Sequence, residues 1–179
     1  MNNEPWPHMV IDSYYPPELF LAMKKEIVAY LGNNPKKFIG ARQLFFRSTD
    51  YDFPVTFPHT FLCVNSVSPY KMLDHFIEHR PFVKMSHYNE INVIVDGHDY
   101  PIHDENPRKI LSIVNYITPE TSTGTLIYDT DKKFHSEVKW KPNRTLVFAG
   151  ITDKTWHSYK VEPKRIRISV NTFLINDLD

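Results

Sequence analysis

His103 and Glu105 stand two residues apart in Tyr100-Pro-Ile-His-Asp-Glu. His157 follows in Thr155-Trp-His-Ser-Tyr, and Arg167-Ile-Ser169 begins ten residues later. Two imidazoles and one carboxylate make a three-ligand metal face that leaves coordination positions open, a pattern suited to oxygen chemistry. In an extended segment residues i and i+2 point the same way, so His103 and Glu105 can meet one ion while Asp104 points elsewhere. The third ligand comes 157−103 = 54 residues on. That interval holds several short strands, enough for the chain to leave the site and return on a facing sheet. Arg167 adds a guanidinium, which binds a carboxylate as a two-pronged fork, and Ser169 adds a hydroxyl on the same strand face.

The elements that position these groups are legible in outline. Met9-Val-Ile-Asp-Ser-Tyr-Tyr reads as a short strand. Pro16-Pro-Glu opens a helix with Leu19, Phe20, Met23, Ile27, Tyr30 and Leu31 on one face, stopped by Gly32-Asn-Asn-Pro. Residues 38–66 read as irregular with short strands, because Pro54, Pro58 and several Asp interrupt aromatic and β-branched runs. A second helix is predicted over Tyr70–His79, ending before Pro81. From about residue 84 the pattern turns to strands at 85–95, 109–117, 124–129, 134–140, 144–149 and 166–175. Asp96-Gly97, Asn106-Pro107, Ser122-Thr-Gly124, Pro142-Asn143 and Glu162-Pro163 supply the turns. A helical front before a run of strands predicts an α+β domain whose second half is a sandwich or open barrel. In the last strand Ile166, Ile168, Val170, Thr172 and Leu174 share one face. Arg167, Ser169, Asn171 and Phe173 share the other, which either meets solvent or lines a polar cavity; beside the metal set the cavity is the expectation.

Composition narrows the class. A chain of 179 residues makes one domain, or one domain with a short N-terminal lobe, and can bury a proper core. Its 21 basic and 21 acidic residues give no field that would draw it to nucleic acid or an anionic membrane. Cys63 is the sole cysteine, so no internal disulfide forms and a reducing compartment is expected. The start Met1-Asn-Asn-Glu-Pro-Trp shows no signal peptide, and no apolar run reaches the length of a membrane helix, so the expectation is a cytoplasmic protein.

With its metal set and strand order, the chain resembles the iron(II)- and 2-oxoglutarate-dependent oxygenases, in particular small prolyl-4-hydroxylase-like members. The resemblance runs over most of the chain: Met9 to Leu19, Gly97 ahead of His103, Arg108-Lys-Ile-Leu-Ser-Ile-Val-Asn-Tyr-Ile, Thr123-Gly-Thr-Leu, and Pro142-Asn-Arg-Thr-Leu-Val-Phe. It implies a double-stranded β-helix (jelly-roll) core over residues 84–179, behind a helical and irregular part over 1–83. It implies iron(II) held by His103, Glu105 and His157, with 2-oxoglutarate as cosubstrate and O2 as oxidant. The far carboxylate of 2-oxoglutarate would meet Arg167 and Ser169, with Tyr116 where some relatives place a tyrosine on that carboxylate. Two positions depart from the commoner pattern: Glu105 stands for Asp, and Asn143 for a Gly.

The implied reaction is hydroxylation of an unactivated C–H bond, on a peptidyl or free amino-acid residue by analogy. Glu105 fills the third ligand position, which argues against halogenation. Nucleic-acid demethylation is disfavoured because repair enzymes carry a second Arg where Phe173 stands. Residues 38–66, with Arg42, Arg47, Asp50 and Tyr51, form a candidate lid or substrate wall. Asn171 and Asn115 either line the pocket or are exposed. Two other readings stand beside this one. One is a non-catalytic β-helix binding module. The other is a zinc metalloprotease using His75, Glu78 and His79 in the H-x-x-E-H pattern; Met72, Leu73, Phe76 and Ile77 would form the buried face of that helix and leave both histidines toward solvent.

Overall fold

Prolines start helices throughout the first half of this chain. The computed structural model describes residues 1–35, 43–79 (without the side chains of Ile77 and His79), 84–95, 97, 99–163 and 165–177. After strand β1 (His8–Ile11), helix α1 (Pro17–Asn33) begins on Pro17, where a missing N–H costs nothing, and buries Phe20, Met23, Ile27 and Leu31 as expected. Strand β2 (Gln43–Arg47) follows, then α2 (Phe53–Thr56) and α3 (Pro58–Asn65). The irregular reading of 38–66 is corrected here: Pro54 and Pro58 lie in first helical turns and act as starters, not breakers. Glu26 of α1 caps α3 by accepting the backbone N–H groups of His59 and Thr60, each at 2.8 Å, and the Thr60 hydroxyl at 2.7 Å. Arg42 lies outside the described residues.

The single helix expected over Tyr70–His79 is also corrected. Helix α4 (Pro69–Leu73) gives way to a 3-10 turn over Asp74–His79, broken at Phe76 (φ −120°, ψ 37°). Leu73 and Phe76 are buried and His75 is exposed, as the apolar pattern predicts; the side chains of Ile77 and His79 lie outside the described residues. The H-x-x-E-H pattern needs an α-helical repeat to set its two histidines on one face, and a 3-10 turn does not supply it.

Eight further strands follow: β3 (Met85–Val95), β4 (Tyr100–His103), β5 (Lys109–Thr118), β6 (Thr125–Tyr128), β7 (Phe134–Val138), β8 (Thr145–Ala149), β9 (His157–Tyr159) and β10 (Ile166–Asn176). The fold is α+β, with two antiparallel sheets among the described residues. One runs β1-β8-β5-β10-β3-β2 and the other β4-β9-β6-β7. Helices α1, α2 and α3 cover one face of the larger sheet through Ile91, Val93, Ile117, Ile168 and Val170. Its opposite face turns toward the smaller sheet, where Trp6, Tyr116, Ile127, Trp140 and Phe148 fill one end of the interior. The described residues contain no helix long and apolar enough to cross a membrane.

Two backbone positions fix loops near the site. Asn143 takes a left-handed φ of 63°, which Asn tolerates. Its side chain also accepts the Tyr15 N–H at 3.0 Å and donates to the Tyr15 carbonyl at 2.8 Å, a clamp no glycine provides. Gly124 lies where a Cβ would stand 1.8 Å from the Val138 carbonyl oxygen. Gly124→Ala is therefore expected to cost about 1–3 kcal/mol through overpacking. Thermal denaturation should register it as a fall of about 2–4 °C for each kcal/mol; an unchanged Tm would mean the β6–β7 pair yields freely.

Candidate metal and anion site

Strands β4 and β9 pair so that His103 and His157 are direct cross-strand partners, with ring centroids 4.2 Å apart. Fifty-four residues of chain are thereby closed into one contact. In each ring Nδ1 meets a backbone carbonyl, Pro101 at 3.0 Å for His103 and Thr155 at 2.7 Å for His157. A carbonyl only accepts, so Nδ1 carries a proton in each ring, which makes Nε2 the nitrogen a metal would take. Burial, together with the nearby His157, pulls the His103 pKa down to about 4, so its ring is neutral at pH 7. Asp104, between the two predicted ligands, points away from them. Its carboxylate accepts the Asp153 N–H at 2.5 Å and the Thr155 hydroxyl at 2.8 Å, tying the segment of His103 to that of His157.

Glu105 lies just past the end of β4 and is buried in the same cavity. Its Oε1 accepts the Ser112 hydroxyl at 2.5 Å and its Oε2 faces Lys109 Nζ at 2.9 Å. Burial alone would raise this carboxyl; Lys109, His157 and Ser112 outweigh it and hold the group below its usual range. Among the described residues no three His, Cys, Asp or Glu side chains converge as a finished ligand set. The two imidazoles are ready, while the carboxylate is turned to a lysine that a cation would have to displace.

The strongest signal is electrostatic. Arg167 is 1% exposed, yet its Nε and Nη2 have no hydrogen-bond partner. Three rings surround the guanidinium, with centroids 4.2 Å (Tyr159), 4.8 Å (Trp140) and 5.6 Å (Tyr116) away. Aromatic faces recover part of the cost of burying a cation, but they accept no N–H. A buried guanidinium with free donors is incomplete without an anion, and a carboxylate is the shape its fork fits. Ser169 is buried beside it, and Arg167, Ser169, Asn171 and Phe173 line one cavity of about 320 Å³ with His103, Glu105 and His157. The alternation read from the last strand thus holds. Tyr116 lies beneath, its hydroxyl 2.6 Å from that of Thr125, which itself lines the cavity. Asn115 is neither exposed nor in the cavity lining: it is fully buried and donates to the Thr145 hydroxyl at 2.6 Å.

No protein-family profile matches this sequence, and no curated protein does. Solved structures do. A Pseudomonas putida prolyl-4-hydroxylase aligns over 96% of this chain and 93% of its own, at 13% identity and a TM-score of 0.64. A Trichoplax adhaerens prolyl hydroxylase, solved with a peptide fragment of the hypoxia inducible factor oxygen degradation domain, aligns over 95% of this chain and 84% of its own, at 11% identity and a TM-score of 0.65. The viral collagen prolyl hydroxylase of Paramecium Bursaria Chlorella virus-1, solved with 2-oxoglutarate, aligns over 96% of both chains, at 14% identity and a TM-score of 0.55. The fold is that of the prolyl hydroxylases. Within the prolyl-hydroxylase fold, several residues around the cavity and Arg167 have no counterpart in the sequence reading. The cage rings Tyr159 and Trp140 give no sign in the sequence, and neither does Lys109. Tyr88, Glu90 and Asn92 do: they alternate along β3 and all line the cavity.

Proposed function

We propose that this chain is an iron(II)- and 2-oxoglutarate-dependent dioxygenase that hydroxylates an unactivated C–H bond. On this reading residues 1–179 form one domain, and strands β3 to β10 form a double-stranded β-helix. The sheet orders β8-β5-β10-β3 and β4-β9-β6-β7 support that arrangement. The observation that carries the function is Arg167, a buried cation with free donors sharing a cavity with a cross-strand pair of imidazoles.

His103, Glu105 and His157 would hold the metal, and Arg167 and Ser169, over Tyr116, would hold the far carboxylate of 2-oxoglutarate. The donor set fits iron(II), because two imidazoles and a carboxylate would leave positions for the cosubstrate and O2. Bound there, iron with 2-oxoglutarate supplies the oxidising power to place one oxygen atom of O2 on a C–H carbon, releasing succinate and CO2. The chain's own residues orient and exclude. The Pro101 and Thr155 carbonyls fix both imidazole planes, Asp104 locks their two segments together, and Ser112 and Lys109 keep Glu105 ionised. The Arg167 cage keeps the anion end dry, which strengthens its charge contact. A peptide or a small molecule is the expected substrate, and the neighbour solved with a peptide fragment supports that class.

Substrate-free turnover tests the reading. Purified protein given Fe(II), 2-oxoglutarate and air should release succinate slowly, and chelating the metal should stop it. Succinate no faster than in protein-free buffer would count against the assignment.

A further inference from the structure

The outer end of the cavity carries a polar row that takes no part in holding the metal ligands or the buried guanidinium. Arg47, Glu90 and Asn171 are direct cross-strand partners on β2, β3 and β10, and all three line the cavity. Glu90 and Asn171 are each 5% exposed, whereas the Arg47 side chain is 52% exposed, at the mouth. Arg47 Nε donates to Glu90 Oε2 at 3.1 Å. That bond uses one nitrogen and one oxygen, so Glu90 Oε1 and the two Nη groups of Arg47 are left for a ligand. Asn171 Oδ1 is buried with no partner. Phe45, Tyr88 and Phe173 complete the walls, the last two with ring centroids 5.2 Å apart.

The charges select among ligands. A simple anion entering here meets Glu90, and a simple cation meets Arg47. A capped peptide brings neutral N–H and C=O groups, so it can offer hydrogen bonds to these two groups but no opposite charge to either. A free α-amino acid brings an ammonium and a carboxylate a single carbon apart. The ammonium satisfies Glu90 Oε1 and Asn171 Oδ1, the carboxylate satisfies the Nη groups of Arg47, and the side chain is left for the apolar walls. A volume of about 320 Å³ sits at the small-molecule end of the range for binding pockets. We propose that the Arg47–Glu90–Asn171 row is the head-group site for a free α-amino acid, so that the substrate is a zwitterion and not a peptide. The fate of the bound amino acid rests on the oxygenase reading; its binding does not.

Ligand-observed NMR on the intact chain tests this, with each protein L-amino acid added singly. The series is run on the metal-free protein and again with Fe(II) and 2-oxoglutarate under anaerobic conditions. At least one apolar amino acid should bind, and its N-acetyl and carboxamide derivatives should each bind roughly tenfold or more weakly, the loss of one charged hydrogen bond. Glu90→Gln should shrink the gap between the free and N-acetylated forms, and Arg47→Met the gap between acid and carboxamide. Loss of packing alone would weaken all forms together and leave those ratios intact. A capped Gly-Pro-Gly peptide binding as well as any free amino acid, or no amino acid binding under either condition, overturns the proposal. Succinate formation measured in parallel separates the two claims. Amino-acid binding without iron-dependent succinate keeps this site and removes the oxygenase. Turnover on the capped peptide with no free amino acid bound does the reverse.

Discussion

Replacing Arg167 with Met should raise the 2-oxoglutarate concentration needed for half-maximal succinate formation by roughly 30-fold or more, the expected penalty for removing one member of a buried charge pair. The same substitution should leave the ligand-free protein at least as stable as the wild type. Arg167 is 1% exposed, its Nε and Nη2 are unpartnered, and burial pulls its pKa down despite the nearby Tyr116 and Tyr159. A Met of similar length removes that desolvation cost and keeps contact with Tyr159, Trp140 and Tyr116. The two effects have opposite signs, which a residue serving only the core would not produce. Thermal shift reads both at once. 2-Oxoglutarate should raise the Tm of the wild type and not of the variant. A variant that is both much less stable and still stabilised by 2-oxoglutarate would assign Arg167 to the core.

His157→Ala should abolish specific metal binding. Removing one of three ligands leaves His103 and a carboxylate already engaged by Ser112 and Lys109, too few donors to hold a labile divalent ion. Iron content after anaerobic loading and desalting should fall from near one per chain to background, and succinate formation with it. His157 also packs on Phe148 at 5.0 Å, so folding of the variant is checked by its thermal transition. His75→Ala is the matched control, because that histidine is exposed on the 3-10 turn. Its iron content should equal the wild type's; loss there instead would shift the metal to the H-x-x-E-H segment.

How far the sequence carries depends on element length. The long strands β3, β5 and β10 announce themselves, because ten or so residues of β-branched and alternating pattern outweigh local noise. In β10 the alternation of Arg167, Ser169 and Asn171 against Ile168 and Val170 gives both the cavity face and the core face. The strands that carry the histidines do not show. β4 has four residues including Pro101, and β9 has three, too few to set a period. Their place is set by pairing with each other and with β6, a tertiary fact. Pro54 and Pro58 mislead for a related reason: the residue that breaks a helix interior also opens a helix, and only context distinguishes the two. The ligand candidates were legible by residue type and order. The Arg167 cage was not, because Tyr116, Trp140 and Tyr159 come from separate segments with no shared spacing. Lys109 stands four residues after Glu105, but that spacing signals a contact only in a helix, and here it spans a turn into β5.

An oxygenase requires His103, Glu105 and His157 to gather one iron within reach of a 2-oxoglutarate anchored on Arg167. Anaerobic titration of the protein with Fe(II) and 2-oxoglutarate, followed by visible absorption, asks this directly. A weak band that appears only when both are present, saturates near one equivalent of each, and is lost in Arg167→Met at the same cosubstrate concentration is the expected result. Folded protein that develops no band at saturating Fe(II) and 2-oxoglutarate would contradict it and leave a cavity built for binding alone.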